Sequence, residues 1–399
     1  MNVRITQLDG KLPNLALMKL SAWHKAKGDV VHFTRGIARE IFEPDYDIVY
    51  ASAIFKWSQN CVSDMKREWP NSIIGGTGTS SKVTTEEIVG DFTGCDYEIY
   101  PWFKPSIGFT QRGCRLNCSF CVVPQKEGKV KEVTTINEIW RGDGHPRQIH
   151  LLDNDFFGQP RWRERCEEII EGNFAVCLNQ GINVRLIHKD GANMLAKTRY
   201  SDDQFKRRRI YTAWDNRRDE DIFLRGIGLL LDAGIKPQAI MVYMLCGYWP
   251  GETMDDVMYR FEKMKAIGLL PYPMVYDNKN TTLKKFQRWV IRRFHEFIPF
   301  DEYLRGEIHA RIDEPMLLNV EPLPQTGNCN HAYRNGRTKP WAFATMWRGK
   351  PRISEETKTK IINQRDSGIP IAAVAASLGV SKTRVSVIHR QAKGKEARK

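Results

Sequence analysis

The sequence predicts an α/β protein in three parts: an N-terminal doubly wound Rossmann-like domain, a partial (β/α)6 barrel and a small all-α helix-turn-helix tail. Strand-like apolar runs alternate with amphipathic helical stretches over most of the chain. Six such runs recur at intervals of roughly 25–35 residues from about residue 105, as in a βα barrel. Three short helical patterns with a glycine between the last two close the chain. The expected boundaries are 1–98, 99–300, an extension and linker at 301–350, and 351–399.

The first domain is predicted from four short strand candidates, VRITQL (3–8), DVVHFT, DIVYASAI and NSIIGG. An amphipathic helix, LALMKLSAWHKAKG at 15–28, ends in a glycine cap. Strands that alternate with helices in this way indicate an open parallel sheet of the doubly wound type.

The barrel is predicted from six further strand candidates, with helices ending in glycine between them. They are SIGFT (106–110), QIHLLD (148–153), FAVCLN (174–179), RRIYTAW (208–214), QAIMVYML (238–245) and YPMVYD (272–277). The chemistry of such a barrel lies at the carboxyl ends of its strands.

Composition limits the class of protein. The 399 residues contain nine cysteines and no apolar run of membrane-spanning length, and the N-terminus does not look like a secretory signal. We therefore expect a cytoplasmic protein without disulfides or membrane contact. The net charge is +14, and residues 346–399 hold 13 Lys or Arg against 4 Asp or Glu. This excess suggests that the tail contacts a polyanion such as nucleic acid.

The stretch GCRLNCSFCVVP places Cys114, Cys118 and Cys121 in the loop after the first barrel strand. Three thiolates on one loop can hold three corners of an iron–sulfur cluster and leave one iron open. Two alternatives remain. A four-ligand zinc site could be completed by His145 or Cys329, or the three thiols could be unrelated.

The CRLNCSFC spacing resembles the Cys-x3-Cys-x-aromatic-Cys signature of radical S-adenosylmethionine (radical SAM) enzymes, and the strand pattern from about 105 to 280 resembles their partial barrel. The resemblance implies one [4Fe–4S] cluster held by the three cysteines, with S-adenosylmethionine on the fourth iron. Reductive cleavage of that cofactor would give a 5′-deoxyadenosyl radical. A flavodoxin- or ferredoxin-like protein would supply the electron.

The resemblance also implies residues that bind the cofactor. Phe120 matches the aromatic residue beside the adenine, and the other candidates follow the second to fifth barrel strands. They are Asp153, Asn154, Asp155, Asn179, Gln180, Arg185, Asp215 and Gly247. For each polar residue the alternative is a strand-end or helix-cap contact.

The remaining cysteines are too few for auxiliary clusters, which favours a single cluster. We expect five of them to be buried apolar thiols: Cys61, Cys95, Cys166, Cys177 and Cys246.

The N-terminal domain resembles the cobalamin-binding domain of one branch of the same superfamily, but its ligand motif is degenerate. The stretch DGKLPN has Lys11 and Asn14 where histidine and glycine would stand. A protonated lysine would not replace the imidazole. We expect no cobalamin, with cobalamin held without a protein ligand as the alternative.

The tail resembles helix-turn-helix domains of the resolvase and repressor type. Lys382, Arg384, His389 and Arg390 would face DNA from its third helix. The alternative is a basic bundle that contacts phosphates only or packs on another protein.

Three functions therefore compete. The first is a radical SAM enzyme that acts on nucleic acid or a nucleotide-derived substrate. The second is a DNA-binding regulator whose iron–sulfur cluster senses redox state or S-adenosylmethionine. The third is an enzyme that modifies a peptide or metabolite. The sequence favours the first, because a complete barrel exceeds what a sensor needs.

Overall fold

The computed structural model describes residues 1–306, residues 355–378 and five positions of the last helix, 385, 386, 388, 389 and 392. The chain forms two compact units, Met1–Cys329 and Asn330–Lys399. The predicted N-terminal and barrel domains both lie in the first unit. Most of the predicted linker, residues 307–350, lies outside the described residues.

The strands are β1 (Asn2–Gln7), β2 (Val30–Thr34), β3 (Ile48–Ser52), β4 (Ile73–Gly75), β5 (Ser106–Gly108), β6 (Gln111–Arg112), β7 (Lys131–Glu132), β8 (Gln148–Leu151), β9 (Ala175–Leu178), β10 (Arg199–Tyr200), β11 (Ile210–Ala213), β12 (Ile240–Cys246) and β13 (Leu270–Val275). The α-helices are α1 (Leu15–Ala26), α2 (Gln59–Glu68), α3 (Thr85–Val89), α4 (Val123–Lys126), α5 (Ile136–Ile139), α6 (Trp162–Glu171), α7 (Lys189–Lys197), α8 (Glu220–Asp232), α9 (Met254–Ile267), α10 (Thr281–Ile291), α11 (Phe300–Arg305), α12 (Glu355–Asp366) and α13 (Ile371–Ser377).

The first sheet has the order β2-β1-β3-β4, and all of its strands are parallel. Val3 and Ile5 of β1 are fully buried and pack with Leu17 and Leu20 of α1. Asn14 begins α1 by accepting a hydrogen bond from the amide of Leu17. The four strands predicted for this part of the chain are all present.

The six predicted barrel strands are also present, divided between two parallel sheets. One has the order β10-β9-β8-β5 and the other β11-β12-β13. The loop after β9 connects them, since the amide of Ile182 donates to the carbonyl of Tyr211 at 2.8 Å. The carboxyl ends of β5, β8 and β9 lie at one edge of their sheet, because parallel strands run in the same direction.

The two faces of these sheets have different neighbours. The helix-facing side forms the largest apolar core, in which Leu151, Val176, Val242 and Phe261 are almost fully buried. The opposite side carries a smaller group built on Cys177, Tyr211, Met241 and Tyr272. The near-continuous apolar composition of these strands follows from burial on both faces. The predicted α/β class is confirmed.

The second unit contains a small helical core. Ile361 of α12, Val374 of α13 and Val385 of the following helical segment are fully buried and pack together. Among the described helices of both units, none is long and apolar enough to cross a membrane.

A buried arginine joins the ends of two strands. The side chain of Arg260 in α9 is fully buried and donates to the carbonyls of Trp214 at 2.8 Å and Leu245 at 3.0 Å. It also pairs with Glu252 at 2.5 Å, and Glu252 accepts the amide of Gly247 at 2.6 Å. One guanidinium therefore fixes the ends of β11 and β12 and the turn after β12.

Replacing this arginine should be strongly destabilising. Arg260→Met leaves the Glu252 carboxylate and two carbonyls buried without their donor, so we expect a loss of about 3–5 kcal/mol in the free energy of unfolding. Urea titration followed by circular dichroism measures it. The control is Arg217→Met, which breaks the more exposed pair with Asp256 and should cost about 1 kcal/mol or less. Equal urea midpoints for the two variants would contradict this assignment.

Candidate functional site

The three clustered cysteines lie in a loop whose two ends are held together. Strands β6 and β7 pair antiparallel, with Gln111 opposite Glu132 and Arg112 opposite Lys131. We call the residues between them, 113–130, the cysteine segment. Just inside the hairpin, the amide of Cys114 donates to the carbonyl of Gly128 at 3.2 Å. The sequence does not predict this hairpin, whose two strands have only two residues each.

Gly113 is required at the start of the cysteine segment. Its φ is +80°, and a Cβ atom there would lie 2.2 Å from the carbonyl oxygen of Lys129. Any other residue would force the two strands of the hairpin apart.

The three thiols are half-buried and close enough to influence one another. Cys114 Sγ accepts the amide of Leu116 at 3.4 Å, and Cys121 Sγ accepts the amide of Val123 at 3.5 Å. Burial is the main cause that raises the pKa of Cys114, and the charges of the neighbouring thiols add to it. Burial likewise raises the pKa of Cys121, with Cys118 contributing.

Asp153, two residues after β8, binds the residues that lead into the cysteine segment. Its carboxylate accepts the amides of Thr110 at 2.7 Å and Gln111 at 3.2 Å, and also the hydroxyl of Thr110. Burial raises the pKa of Asp153 to about 7 against the opposing effect of these donors. The group is 2% exposed, so its side chain is committed to the connection between β5 and β6 and to the start of β6.

Asp155 holds the segment itself. Its fully buried carboxylate accepts the Arg115 guanidinium at 2.7 and 3.0 Å and the Arg115 amide at 3.2 Å. The bidentate geometry fixes both the side chain and the backbone of the residue after Cys114. The amide of Asp155 in turn donates to Gln111 Oε1 at 3.0 Å.

Asn154, which stands between these two aspartates, contacts the C-terminal part of the cysteine segment. Its Nδ2 donates to Glu127 at 2.8 Å, and Glu127 accepts the amide of Gly113 at 3.0 Å. The sequence predicts Asp153, Asn154 and Asp155 as cofactor ligands. The structure gives all three side chains partners in or next to the cysteine segment, which is the strand-end alternative.

Arg185 is brought to the cysteines from the loop after β9. Its Nη2 lies 3.7 Å from Cys118 Sγ, and its Nη1 donates to Asp219 at 2.8 Å. A guanidinium at this distance stabilises a thiolate, because it supplies the opposite charge.

The other predicted residues are more scattered. Asn179 Oδ1 accepts from His150 Nδ1 at 3.0 Å, and Gln180 is exposed. Asp215 is half-buried, the loss of hydration raises its pKa, and it accepts the amide of Leu245 at 3.0 Å. Gly247 has φ +79°, and a Cβ there would lie 2.6 Å from Leu283 Cδ1. These residues all follow strand ends, as predicted.

Aromatic rings surround Phe120. Tyr248 and Trp249, which follow β12, meet its ring edge-to-face at centroid distances of 5.4 and 6.2 Å. The hydroxyl of Tyr248 donates to Ser119 at 2.9 Å, and Trp249 donates to the carbonyl of Asp215 at 2.8 Å. These rings place an apolar wall against the cysteine segment.

The predicted burial of the remaining cysteines is partly wrong. Cys166, Cys177 and Cys246 are buried, as expected, but Cys61 is half-buried and Cys95 is exposed. Cys95 lies in the irregular connection after α3, and Cys61 lies on α2, which buries only Met65.

Asn14, one of the two positions that depart from the cobalamin motif, is used within the N-terminal domain. Besides beginning α1, it donates to Ser52 Oγ at 2.8 Å and is itself buried. Its side chain therefore has a structural role.

Among the predicted DNA-facing residues, only His389 is described, and Lys382, Arg384 and Arg390 lie outside the described residues. His389 Nε2 lies 2.8 Å from Asp366 Oδ1 at the end of α12. Contact with DNA through this side chain would have to compete with that pair.

Sequence reasoning missed Arg115, Glu127 and Tyr248, which contact the cysteine segment or belong to it. Arg115 pairs with a carboxylate 40 positions away, and the bond between Tyr248 and Ser119 spans 129 positions. Only the proximity of Arg115 to Cys114 in the sequence could have drawn attention to it.

In the part of the chain that the structure describes, no three His, Cys, Asp or Glu side chains converge as ligands of one metal ion. Compared with known proteins, the chain matches no protein-family model and no curated sequence at a significant level.

The Asp155 contact predicts a change in protease sensitivity. Asp155→Ala frees the Arg115 side chain and its amide, so we expect trypsin to cut the native protein after Arg115 faster than in the wild type. Mass spectrometry of the fragments locates the cut. Asp190→Ala, which breaks a surface pair with Arg163, is the control and should leave cleavage at Arg115 unchanged. Identical cleavage in all three proteins would contradict a structural role for Asp155.

Proposed function

We propose that the chain is a radical SAM enzyme with one [4Fe–4S] cluster held by Cys114, Cys118 and Cys121. The observation that carries the proposal is the placement of these thiols. They lie on one loop at the carboxyl edge of a parallel sheet, and the end of β8 fixes that loop through two buried carboxylates. In α/β folds this edge is where chemistry is located.

The donor set suits an iron–sulfur cluster better than a single ion. Three thiolates are soft ligands, and the cysteine segment contains no fourth cysteine to close a tetrahedral zinc site. The thiols are neighbours but do not converge on one point. In a cluster each thiolate binds a different iron, so convergence is not required.

When bound, the cluster and S-adenosylmethionine would supply one-electron cleavage of the cofactor to methionine and a 5′-deoxyadenosyl radical, which takes a hydrogen atom from substrate. The electron would come from a flavodoxin- or ferredoxin-like donor. Residues of this chain set the charge and the polarity around the cysteines. Arg185 places a positive charge beside Cys118, and Phe120, Tyr248 and Trp249 keep one side of the segment apolar.

The cofactor would lie along the strand ends that carry the predicted residues. With Asp153, Asn154 and Asp155 committed to the cysteine segment, the groups left to contact it are Phe120, Asn179, Gln180, Arg185, Asp215 and Gly247. We propose that the two parallel sheets together form the partial barrel around it, with the loop at Ile182 joining them.

Nucleic acid or a nucleotide-derived molecule is the proposed substrate. The tail has a net charge of +9 from its 13 basic and 4 acidic residues after position 345, and its described helices form a small core of their own. A basic helix-turn-helix would bring the enzyme to a polyanion. We propose no cobalamin, since Lys11 replaces the ligand imidazole.

Product analysis tests the chemistry. The full chain is reconstituted anaerobically with iron and sulfide, then incubated with S-adenosylmethionine and dithionite, and 5′-deoxyadenosine is measured by liquid chromatography. We expect product from the wild type and none from Cys118→Ala, because one iron of the cluster loses its thiolate. Cys95→Ala, an exposed cysteine outside the segment, is the matched control and should retain full product formation.

Two outcomes would overturn the proposal. Product formation by Cys118→Ala at the wild-type rate would remove this thiol from the site. An intact cluster in the wild type that never yields 5′-deoxyadenosine would favour the DNA-binding regulator instead.

A further inference from the structure

A pair of stacked aromatic rings, one of them exposed, follows β3 in the N-terminal sheet. Phe55 and Trp57 stack at a centroid distance of 4.2 Å with 10° between their planes. Trp57 is 58% exposed and Phe55 is half-buried, so the indole is the more solvent-accessible ring of the pair. We call this pair the aromatic platform.

The platform rests on a fixed loop. The carboxylate of Asp9, which is 8% exposed, accepts the amides of Ile54 at 2.7 Å and Phe55 at 2.9 Å. The glycine-containing loop after β4 packs against it, since the amide of Gly78 donates to Ala53 at 2.9 Å and Thr77 Oγ1 donates to Ile54 at 2.6 Å. The rings are therefore positioned before any ligand arrives.

The same glycine-containing loop contacts the cysteine segment. Lys126, five positions after Cys121, donates from Nζ to the carbonyl of Gly76 at 2.9 Å. A Cβ on Gly76 would lie 2.2 Å from the carbonyl oxygen of Ala53, so the loops approach too closely for any larger residue. A short series of hydrogen bonds from side chains and backbone amides to backbone carbonyls thus joins the platform to the candidate site.

The loop that carries the platform and the glycine-containing loop each hold one lysine. Residues 53–62 and 76–84 include Lys56 and Lys82 and contain no Asp or Glu. Both lysines are exposed. Contacts place two carboxylates at these stretches: Asp9, whose oxygens are both occupied by backbone amides, and Glu87, which accepts the amide of Thr84 at 3.0 Å.

We propose that Trp57 stacks against an unpaired base of a single-stranded nucleic acid and so holds the substrate beside the cysteine segment. An open aromatic face with flanking lysines is the combination that binds single strands, the rings taking the bases and the lysines the phosphates. This site rests on the proposed nucleic-acid substrate and assigns it a second contact, separate from the tail.

Binding of a labelled single-stranded oligonucleotide of about 12 nucleotides, measured by fluorescence anisotropy with the full chain, tests the site. We expect Trp57→Ala to bind about tenfold more weakly and Trp57→Phe to bind close to the wild type, because phenylalanine still offers a ring. Trp102→Ala, which removes a similarly exposed indole elsewhere (55% exposed), is the matched control and should bind as the wild type. A duplex of the same length should bind equally to all variants, since its bases are not free to stack.

Three results would overturn the site: no binding of the oligonucleotide by the wild type, unchanged affinity in Trp57→Ala, or equal loss in Trp57→Phe and Trp57→Ala. The measurement needs neither S-adenosylmethionine nor reductant. If the chain forms no 5′-deoxyadenosine but its oligonucleotide binding depends on Trp57, the binding site is supported and the radical chemistry is overturned. If the chain forms 5′-deoxyadenosine but binds no oligonucleotide, only the proposed binding site is overturned.

Discussion

The ion pair between Asp155 and Arg115 is the contact on which the candidate site depends. None of the apolar side chains of the cysteine segment is fully buried, so burial alone could not order it. A carboxylate at 0% exposure must be satisfied by donors, and here the donors are the guanidinium and amide of the residue directly after Cys114. The cost of burying this charge therefore favours one conformation of the loop.

Other residues after β8 also fix the conformation of the chain at the cysteine segment. Asp153 fixes the residues before the segment, and Asn154 acts through Glu127 on Gly113. Three consecutive residues after β8 thus contact the loop at two points and the residues just before it. On its other side, Lys126 connects the segment to the N-terminal sheet. The two parts of the first unit therefore make contact at the cysteine segment, where we propose that a substrate held by one part reacts at the other.

Most of the secondary structure could be predicted from the sequence, because buried faces of helices and strands repeat apolar residues at a regular spacing. All ten predicted strands of the first unit are present, whereas β6, β7 and β10 have only two residues each and leave no pattern. The positions of Asp153, Asn154 and Asp155 at a strand end were also predictable. Their partners were not, since the Asp155–Arg115 pair joins residues 40 positions apart through the fold. The exposure of Cys95 depends on an irregular connection, which residue type alone does not reveal.

The central claim is that three thiolates leave one coordination position for S-adenosylmethionine. Electron paramagnetic resonance of the reconstituted, reduced protein before and after addition of S-adenosylmethionine tests it most directly, together with iron and sulfide analysis. The account predicts about four irons per chain and a signal whose g-values shift when the cofactor is added. Stoichiometric zinc in place of iron, or a four-iron signal that S-adenosylmethionine leaves unchanged, would contradict it.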